Sequence, residues 1–334
     1  MAPTAPARIL LSSDNTLVGC HIISQVLSSR ISIRVVDTTQ AALNTVKRVF
    51  SDVDEAQLQL AVVPDKIAPG AFNTALNSPD IQFDTIIHTI SVDFSVYDKD
   101  LTGVVRVVGN LIRNAADVAL RVRRLIIVVD GSRTPGHWPG QSWRRAAGTA
   151  NQYNAFNDWW TGIKQLEDYL RGLMHEAKPH FDLVTIYAPT VYGPLMEEVD
   201  REVIYEAGNG RIWDCFLNAR EEEELPPDDL YYFIDVRDLA FATIQAALVP
   251  EASNQNFILC AGSLLSQKIS DVLRARVPGI PGRVPRTRSS SAAATPVPQR
   301  IDSTPASAIL GLVRYLSVEE TLSSLGQQLM ACAR

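Results

Sequence analysis

Residues 12 to 19, Ser-Ser-Asp-Asn-Thr-Leu-Val-Gly, lie between a compact apolar run and a stretch whose apolar residues recur at helical spacing. A dinucleotide site needs small residues at such a turn, because the backbone must approach the pyrophosphate and the helix N-terminus must face it. Of the three glycines typical of that site only Gly19 is present, and Ser13 and Thr16 occupy the other two positions. Since glycine is preferred where φ is positive, a plain turn in which Asn15 or Thr16 caps the helix is an equally good interpretation.

Asp37 ends the second apolar run, roughly 20 residues beyond the first turn. A carboxylate at that place can accept hydrogen bonds from both ribose hydroxyls of a dinucleotide, and it would repel a 2′-phosphate. Asp37 therefore favours NAD over NADP as the cofactor. Asp65 follows the third apolar run and admits the same interpretation. For both aspartates the simpler alternative is an exposed side chain at the end of a strand.

The elements that must position these residues follow from hydrophobic periodicity. Six short runs rich in β-forming residues are Ala7–Leu11, Ile31–Val36, Leu58–Val63, Phe83–His88, Leu125–Val129 and Phe181–Tyr187. Amphipathic helical spacing covers Leu17–Leu27, Ala41–Phe50, Val104–Val122, Ala155–Ala177, Leu239–Leu248 and Ile309–Met330. This alternation predicts an α/β fold with a doubly wound, Rossmann-like parallel sheet whose ligands bind at the carboxyl ends of the strands.

Composition excludes several classes of partner. The 334 residues are 46% hydrophobic and 20% charged, and the net charge of −6 offers no basic field for nucleic acid or an anionic membrane. The four cysteines are far apart and form no CxxC pair, so no metal site is expected. No apolar leader and no run of about 18 apolar residues occurs. We expect a cytoplasmic protein that binds a small-molecule substrate.

The chain divides into two parts by its patterns. Residues 1–190 are predicted to form the dinucleotide-binding core, and residues 191–334 mainly a smaller substrate-binding lobe, with 233–260 returning to the core. Residues 279–299 are rich in Pro, Arg, Ser and Ala without apolar periodicity, which predicts a mobile insertion. Within the segment that returns to the core, Asp235 and Asp238 flank Arg237, so that the carboxylates can pair with the guanidinium and cap the helix that follows.

Two segments carry a specific resemblance. Residues 187–194, Tyr-Ala-Pro-Thr-Val-Tyr-Gly-Pro, and residues 233–240, Phe-Ile-Asp-Val-Arg-Asp-Leu-Ala, resemble elements of the extended short-chain dehydrogenase/reductase superfamily. Residues 9–21 and 83–91 are similar to that family's first and fourth strands, although Ile90 stands where alanine is preferred. The likeness spans nearly the whole chain. It is closest to the NAD-dependent epimerase/dehydratase group, which includes dihydroflavonol reductases and fungal ketone or aldehyde reductases.

The resemblance implies a Tyr-x-x-x-Lys pair on one helix and a serine after the fifth strand. Residues four apart share a helix face, so that the lysine lowers the pKa of the phenol, which then protonates the carbonyl oxygen. Here the lysine is Lys164 and the serine Ser132, but Trp160 occupies the tyrosine position. An indole N–H donates a hydrogen bond and cannot exchange a proton as a phenol does. The residues assigned to the cofactor, NAD or NADP, are Ser13, Thr16, Val18, Gly19, Asp37, Asp65, Lys164 and Pro189.

Other groups could replace the missing phenol. Tyr192 belongs to the segment that lines the nicotinamide and substrate region in the family, and Tyr153 and His137 lie in segments that can approach the same pocket. Each is more commonly a packing or rim residue. The alternative for the pair Trp159-Trp160 is that both rings pack the helix against the sheet.

Three functions remain open from the sequence. The first is a working reductase or dehydrogenase for a ketone or aldehyde of a secondary metabolite. The second is a remodelled isomerase, dehydratase or cyclase without net hydride transfer, and the third is a noncatalytic binding or regulatory module. The two long helices near Val104–Val122 and Ala155–Ala177 could form the interface of a homodimer, and a monomer is the alternative.

Overall fold

The structure is a computed structural model that describes residues 8–13, 16–77, 82–91, 97–131, 152–196, 208–226, 232–280, 282–286 and 301–332. Its strands are β1 Arg8–Ser12, β2 Ser32–Asp37, β3 Leu58–Val62, β4 Thr85–Ser91, β5 Arg124–Asp130, β6 Asp182–Ala188, β7 Thr190–Tyr192, β8 Tyr232–Asp235, β9 Asn256–Ile258 and β10 Gly262–Ser263. Its α-helices are α1 Thr16–Ser28, α2 Gln40–Val49, α3 Asn73–Leu76, α4 Tyr97–Val118, α5 Gln152–Ala177, α6 Asn209–Ile212, α7 Val236–Leu248, α8 Ser266–Arg276, α9 Thr304–Leu310 and α10 Val318–Cys332.

The main sheet has seven parallel strands in the order β3-β2-β1-β4-β5-β6-β9. The predicted Rossmann-like fold is confirmed, and all six predicted strands are present. The central residues of β1, β4, β5 and β6 are buried on both faces, which is why these strands were recognisable as continuous apolar runs, whereas β3 at the edge is half-buried. The seventh strand, β9, was not predicted, since three residues are too few to show a period.

Two apolar layers cover the main sheet. One layer packs α1 and α7 against one face, with Ile22 and Leu239 fully buried. The other packs α4 and α5 against the opposite face, with Leu111 and Leu166 fully buried. α1 and α5 lie on opposite faces of the sheet. α1 begins after the carboxyl end of β1, and α5 begins between the carboxyl end of β5 and the start of β6. The candidate nucleotide turn and the first turns of the candidate catalytic helix therefore lie toward the same edge of the sheet.

A smaller sheet and a third apolar cluster form the C-terminal lobe. The small sheet has the order β10-β8-β7, with β7 and β8 parallel. The cluster includes Phe216, Leu273 and Leu325, which are fully buried. Most of the segment 279–299 lies outside the described residues, so its mobility stays a prediction, as does the division of the chain at residue 190.

The expected helical stretch Ile309–Met330 is interrupted. Gly311 ends α9 in the left-handed conformation with φ 70°, and α10 begins only at Val318. The second start is fixed by a capping box, because Glu320 accepts hydrogen bonds from the N–H and hydroxyl of Ser317, and the Ser317 hydroxyl accepts one from the Glu320 N–H. The left-handed conformation of Gly311 thus ends the helix, although the apolar spacing in the sequence continues through the break.

The predicted capping role is confirmed for Asp235, whereas Asp238 lies inside α7, which begins at Val236 and not at Leu239. Asp235 is the N-cap of α7, accepts a hydrogen bond from the Arg237 N–H and pairs with its guanidinium at 2.8 Å. The hydrogen bonds that the Arg237 guanidinium donates to Asp235 raise the pKa of Arg237. Asp238 accepts a hydrogen bond from the Leu316 N–H at 2.7 Å, and burial raises the pKa of its carboxyl to about 6. The element therefore fixes α7 and ties it to the start of α10.

Candidate functional site

A crevice lies where β1 and β4, adjacent parallel strands, end at the carboxyl edge of the main sheet. The helix after β1 packs on one face of the sheet and the helix after β4 packs on the other. Chain connections that diverge in this way open a crevice between the strand ends, and doubly wound folds bind their ligands there. The carboxyl ends of β5 and β6 continue the same edge.

Ser13 directly follows β1 and contacts β4 at this edge of the sheet. Its hydroxyl is 2.8 Å from the hydroxyl of Thr89 on β4, and only 6% of the residue is exposed. A Cβ atom at Gly19 would lie 2.7 Å from Ser13 Oγ, so the absence of a side chain at Gly19 provides the room for the serine. The serine in a glycine position is therefore accommodated inside the fold and does not project from the turn.

In the rest of the turn, a ligand would contact main-chain atoms. Val18 lies in the first turn of α1, is 1% exposed and packs its side chain in the core between α1 and the sheet. A ligand could therefore contact only its main chain. Thr16 is the first residue of α1. Its side chain lies outside the described residues, as do Asp14 and Asn15.

Asp37 and Asp65 lie after neighbouring strands, as expected. Asp37 Oδ1 accepts hydrogen bonds from the N–H groups of Thr38 and Thr39 at 2.6 and 3.4 Å, which fixes the orientation of the carboxylate. Its Oδ2 makes no hydrogen bond to another described residue. Asp65 is exposed and accepts a hydrogen bond from the Ile67 N–H at 3.0 Å. Both side chains thus order their own turns, and Asp37 keeps one oxygen available.

Two adjacent tryptophans at the start of α5 have different surroundings. Trp159 is 2% exposed and packs in the core between α5 and the sheet. A Cβ atom at Gly131 would lie 2.5 Å from Trp159 Nε1 and 3.0 Å from the Ala188 carbonyl oxygen. Gly131 also continues the sheet, since its N–H donates to that carbonyl at 2.9 Å. The indole therefore fills the space that a side chain at position 131 would need.

Trp160 is 36% exposed and faces away from the core. Lys164 lies one helical turn later, also exposed, with Nζ 5.7 Å from the centroid of the Trp160 ring. This distance allows a cation–π interaction. Because Trp159 contacts Gly131 at the end of β5, the neighbouring Trp160 and Lys164 are held beside the carboxyl edge of the sheet. The structure thus separates the two tryptophans, with Trp159 packed in the core and Trp160 exposed at the protein surface.

Tyr192 lies in β7 and is 3% exposed. Its ring belongs to the apolar cluster of the lobe, and its hydroxyl accepts a hydrogen bond from Arg211 Nη1 at 3.5 Å. This placement favours packing over proton donation. Pro189 is buried between β6 and β7.

Ile90 is 3% exposed and packs in the core layer beside α4 and α5. It is therefore a core residue, although the alanine it replaces was taken as a sign of contact with the cofactor. Ser132 and His137 lie outside the described residues, as does the side chain of Tyr153. Thr89 and Gly131 were missed by the sequence analysis, because each acts through a partner distant in sequence.

Two further searches covered the described residues alone. None of their helices is long and apolar enough to cross a membrane. They contain no group of three or more His, Cys, Asp or Glu side chains that could hold a metal ion.

Comparison with known proteins finds similar sequences among reductases. No family model matches the chain. The ketoreductase azaE of Aspergillus niger is 25% identical over 293 residues, which cover 83% of this chain and 85% of that protein. The NADPH-dependent methylglyoxal reductase GRE2 of Saccharomyces cerevisiae is 21% identical over 341 residues, 96% of this chain and 98% of that protein.

Solved structures show the same fold. The yeast methylglyoxal/isovaleraldehyde reductase Gre2, complexed with NADPH, superposes with a TM-score of 0.75 at 18% identity, covering 98% of this chain and 99% of that one. Vestitone reductase from alfalfa gives a TM-score of 0.63 at 14% identity, covering 98% of this chain and 97% of that one. The resemblance to reductases of the extended short-chain type is confirmed.

Proposed function

We propose that this short-chain dehydrogenase/reductase-like chain is an NAD(P)H-dependent reductase that acts on a ketone or aldehyde of a small secondary metabolite in the cytoplasm. The proposal is carried by one observation: Lys164 and Trp160 share an exposed helix face beside the carboxyl edge of a doubly wound sheet. The names of the relatives, a ketoreductase and a methylglyoxal reductase, support the same class of substrate.

The residues at the crevice fit a dinucleotide. Ser13 turns inward to Thr89, so the first turn keeps the low profile that close approach of a pyrophosphate requires. The N-terminus of α1 follows that turn and would face the phosphates, as helix N-termini do at dinucleotide sites. Asp37 Oδ2 would accept hydrogen bonds from the ribose and would disfavour a 2′-phosphate, which supports NADH as the preferred form.

When bound, the reduced dinucleotide supplies the hydride that reaches the carbonyl carbon. The carbonyl oxygen must take up one proton to complete the alcohol, and Trp160 can offer it a hydrogen bond only. The Lys164 ammonium can give up a proton, directly or through one water molecule, and recover it from solvent because the side chain is exposed. We assign Lys164 the role of proton source and Trp160 that of an aromatic wall for the substrate.

A second function is favoured by the same position. A site that lacks a phenol is less suited to protonate the carbonyl oxygen during hydride transfer. An isomerase, dehydratase or cyclase without net hydride transfer would not need that step. The two functions differ in stoichiometry, because only a reductase converts one NAD(P)H for each product molecule.

Titration of the purified protein tests the proposal. Millimolar NADH is expected to raise the melting temperature by linkage, and NADPH to raise it less. ADP-ribose, which lacks the nicotinamide, is the control: it should stabilise the protein without supporting turnover of a panel of ketones and aldehydes. No shift with either dinucleotide would rule out the reductase. Binding with product formation but no loss of absorbance at the nicotinamide band would assign the second function.

A further inference from the structure

Three side chains from three separate elements hold the backbone of residues 193–195, just after β7. Asn209 of α6 accepts a hydrogen bond from the Gly193 N–H at 3.2 Å and donates one to the Gly193 carbonyl at 2.8 Å. His21 of α1 donates from Nε2 to the Pro194 carbonyl at 2.8 Å. Gln328 of α10 accepts from the Leu195 N–H at 2.7 Å and donates to the Leu195 carbonyl at 2.8 Å.

The path of this loop leaves little freedom. Gly193 has φ 155°, a conformation that side chains rarely adopt, and a Cβ atom there would lie 2.6 Å from Val236 Cγ1. Leu195 is buried at 7% exposure, whereas the next residue, Met196, is 39% exposed. The hydrogen bonds to Leu195 therefore set where the chain leaves the core and where Met196 emerges.

Gln328 links α10 to the loop through both ends of its side-chain amide. The docking of α10 rests on Leu322, Leu325 and Leu329, all fully buried in the cluster of the lobe. The two amide hydrogen bonds of Gln328 instead pair both polar groups of one residue 133 positions earlier in the chain. An unpaired N–H and carbonyl would be costly at that depth, so the loop conformation depends on this side chain.

We infer that Gln328 is a positioning residue of the active site, through which the C-terminal helix holds the loop Tyr192–Leu195 in the shape that lines the substrate side of the crevice. The inference rests on the proposed function, because the resemblance of residues 187–194 to the nicotinamide-lining segment of short-chain reductases is what places the loop at the reaction. Asn209 and His21 hold the two preceding residues, so that loss of Gln328 frees the end of the loop that leads to Met196.

The test compares Gln328→Met with Gln327→Met, full chain in each case. Methionine matches the length of glutamine without its hydrogen bonds, and Gln327 is the exposed neighbour on the same helix. For Gln328→Met we expect Leu195 amide exchange to accelerate about fivefold to tenfold, as the loss of one hydrogen bond implies. We expect kcat/KM for the carbonyl substrate to fall about tenfold through KM, while the melting temperature stays within a few degrees of the control.

Unchanged Leu195 exchange would overturn the inference, and so would faster exchange with unaltered kcat and KM. Failure of the proposed function is visible separately, as absence of dinucleotide binding and turnover in the wild-type protein. In that event the role in reduction falls with it, and Leu195 exchange alone decides whether Gln328 holds the loop.

Discussion

The turn after β1 and the start of α5 both depart from the pattern of short-chain reductases, but in different ways. At the turn, Ser13 replaces a glycine, and the change is absorbed by Thr89, which pairs with its hydroxyl, and by Gly19, which leaves it room. At α5, the absence of a side chain at Gly131 likewise leaves room for the indole of Trp159. Trp160 differs, because no packing partner can restore the exchangeable proton of a phenol, and proton donation must move to another group, which we propose is Lys164.

The difference separates two kinds of substitution. A change of shape can be repaired by a neighbour of complementary size, and the fold then keeps its function. A change of chemical group at a reacting position alters the mechanism and leaves the fold intact. Ser13 is of the first kind, and Trp160 is of the second.

Replacing Lys164 should have the largest effect, because it removes the proton source that we assign to the site. We expect Lys164→Met to lower kcat/KM for carbonyl reduction by about 100-fold, the lower range for loss of a general acid. The neighbouring exposed residue provides the control variant Gln165→Met, which should retain activity. A loss of less than about threefold in Lys164→Met would move proton transfer to another group.

Gly131→Ala tests whether the packing at α5 is as tightly matched as the distances indicate. The added methyl would meet Trp159 Nε1 at 2.5 Å and a carbonyl oxygen at 3.0 Å, so we expect the free energy of unfolding to fall by about 2 to 3 kcal/mol. In a Trp159→Phe background the cost should be smaller, because the five-membered ring is gone. Urea unfolding of the four proteins measures the coupling, and equal costs in both backgrounds would contradict it.

Gly19→Ala applies the same test to the turn. In the wild-type background the new Cβ would displace the Ser13 hydroxyl from Thr89, at a cost of about 1 kcal/mol for the lost hydrogen bond. In a Ser13→Gly background the clash is absent, and alanine in place of helical glycine should stabilise by up to about 1 kcal/mol. The sign of the effect should therefore reverse between backgrounds. Destabilisation of the same size in both would show that Ser13 is not what requires Gly19.

Asp238 is an intermediate case, in which burial is offset only in part by the Leu316 N–H. Because its pKa is raised to about 6, its contribution to stability is complete below its unfolded pKa and is lost as pH rises through about 6. Asparagine keeps the acceptor and cannot ionise. The free energy of unfolding of Asp238→Asn, relative to that of the wild type, should therefore rise by roughly 1 kcal/mol from pH 4 to pH 8, after allowance for solvent screening. A pH-independent difference in unfolding free energy would contradict the assigned cause.

Much of the fold was predictable from local pattern. Buried parallel strands are continuous apolar runs, and the face shared by Trp160 and Lys164 follows from helical spacing alone. What could not be predicted depends on distant pairing: the serine at position 13 is explained by Thr89, 76 positions away, and the glycine at position 131 by Trp159. The three-residue strand Asn256–Ile258 is defined only by its pairing with β6. The break at Gly311 was hidden because apolar spacing continues through it.

The account claims that a competent reductase scaffold carries a change of chemical group at Trp160 and that Lys164 supplies the proton in place of the missing phenol. The most direct measurement is the pH profile of kcat/KM for carbonyl reduction in Trp160→Tyr beside the wild type. The account predicts that the variant is faster by at least about tenfold, with a new alkaline limb, because a phenol whose pKa Lys164 lowers must stay protonated to donate. A variant no faster than the wild type, with an unchanged profile, would contradict it.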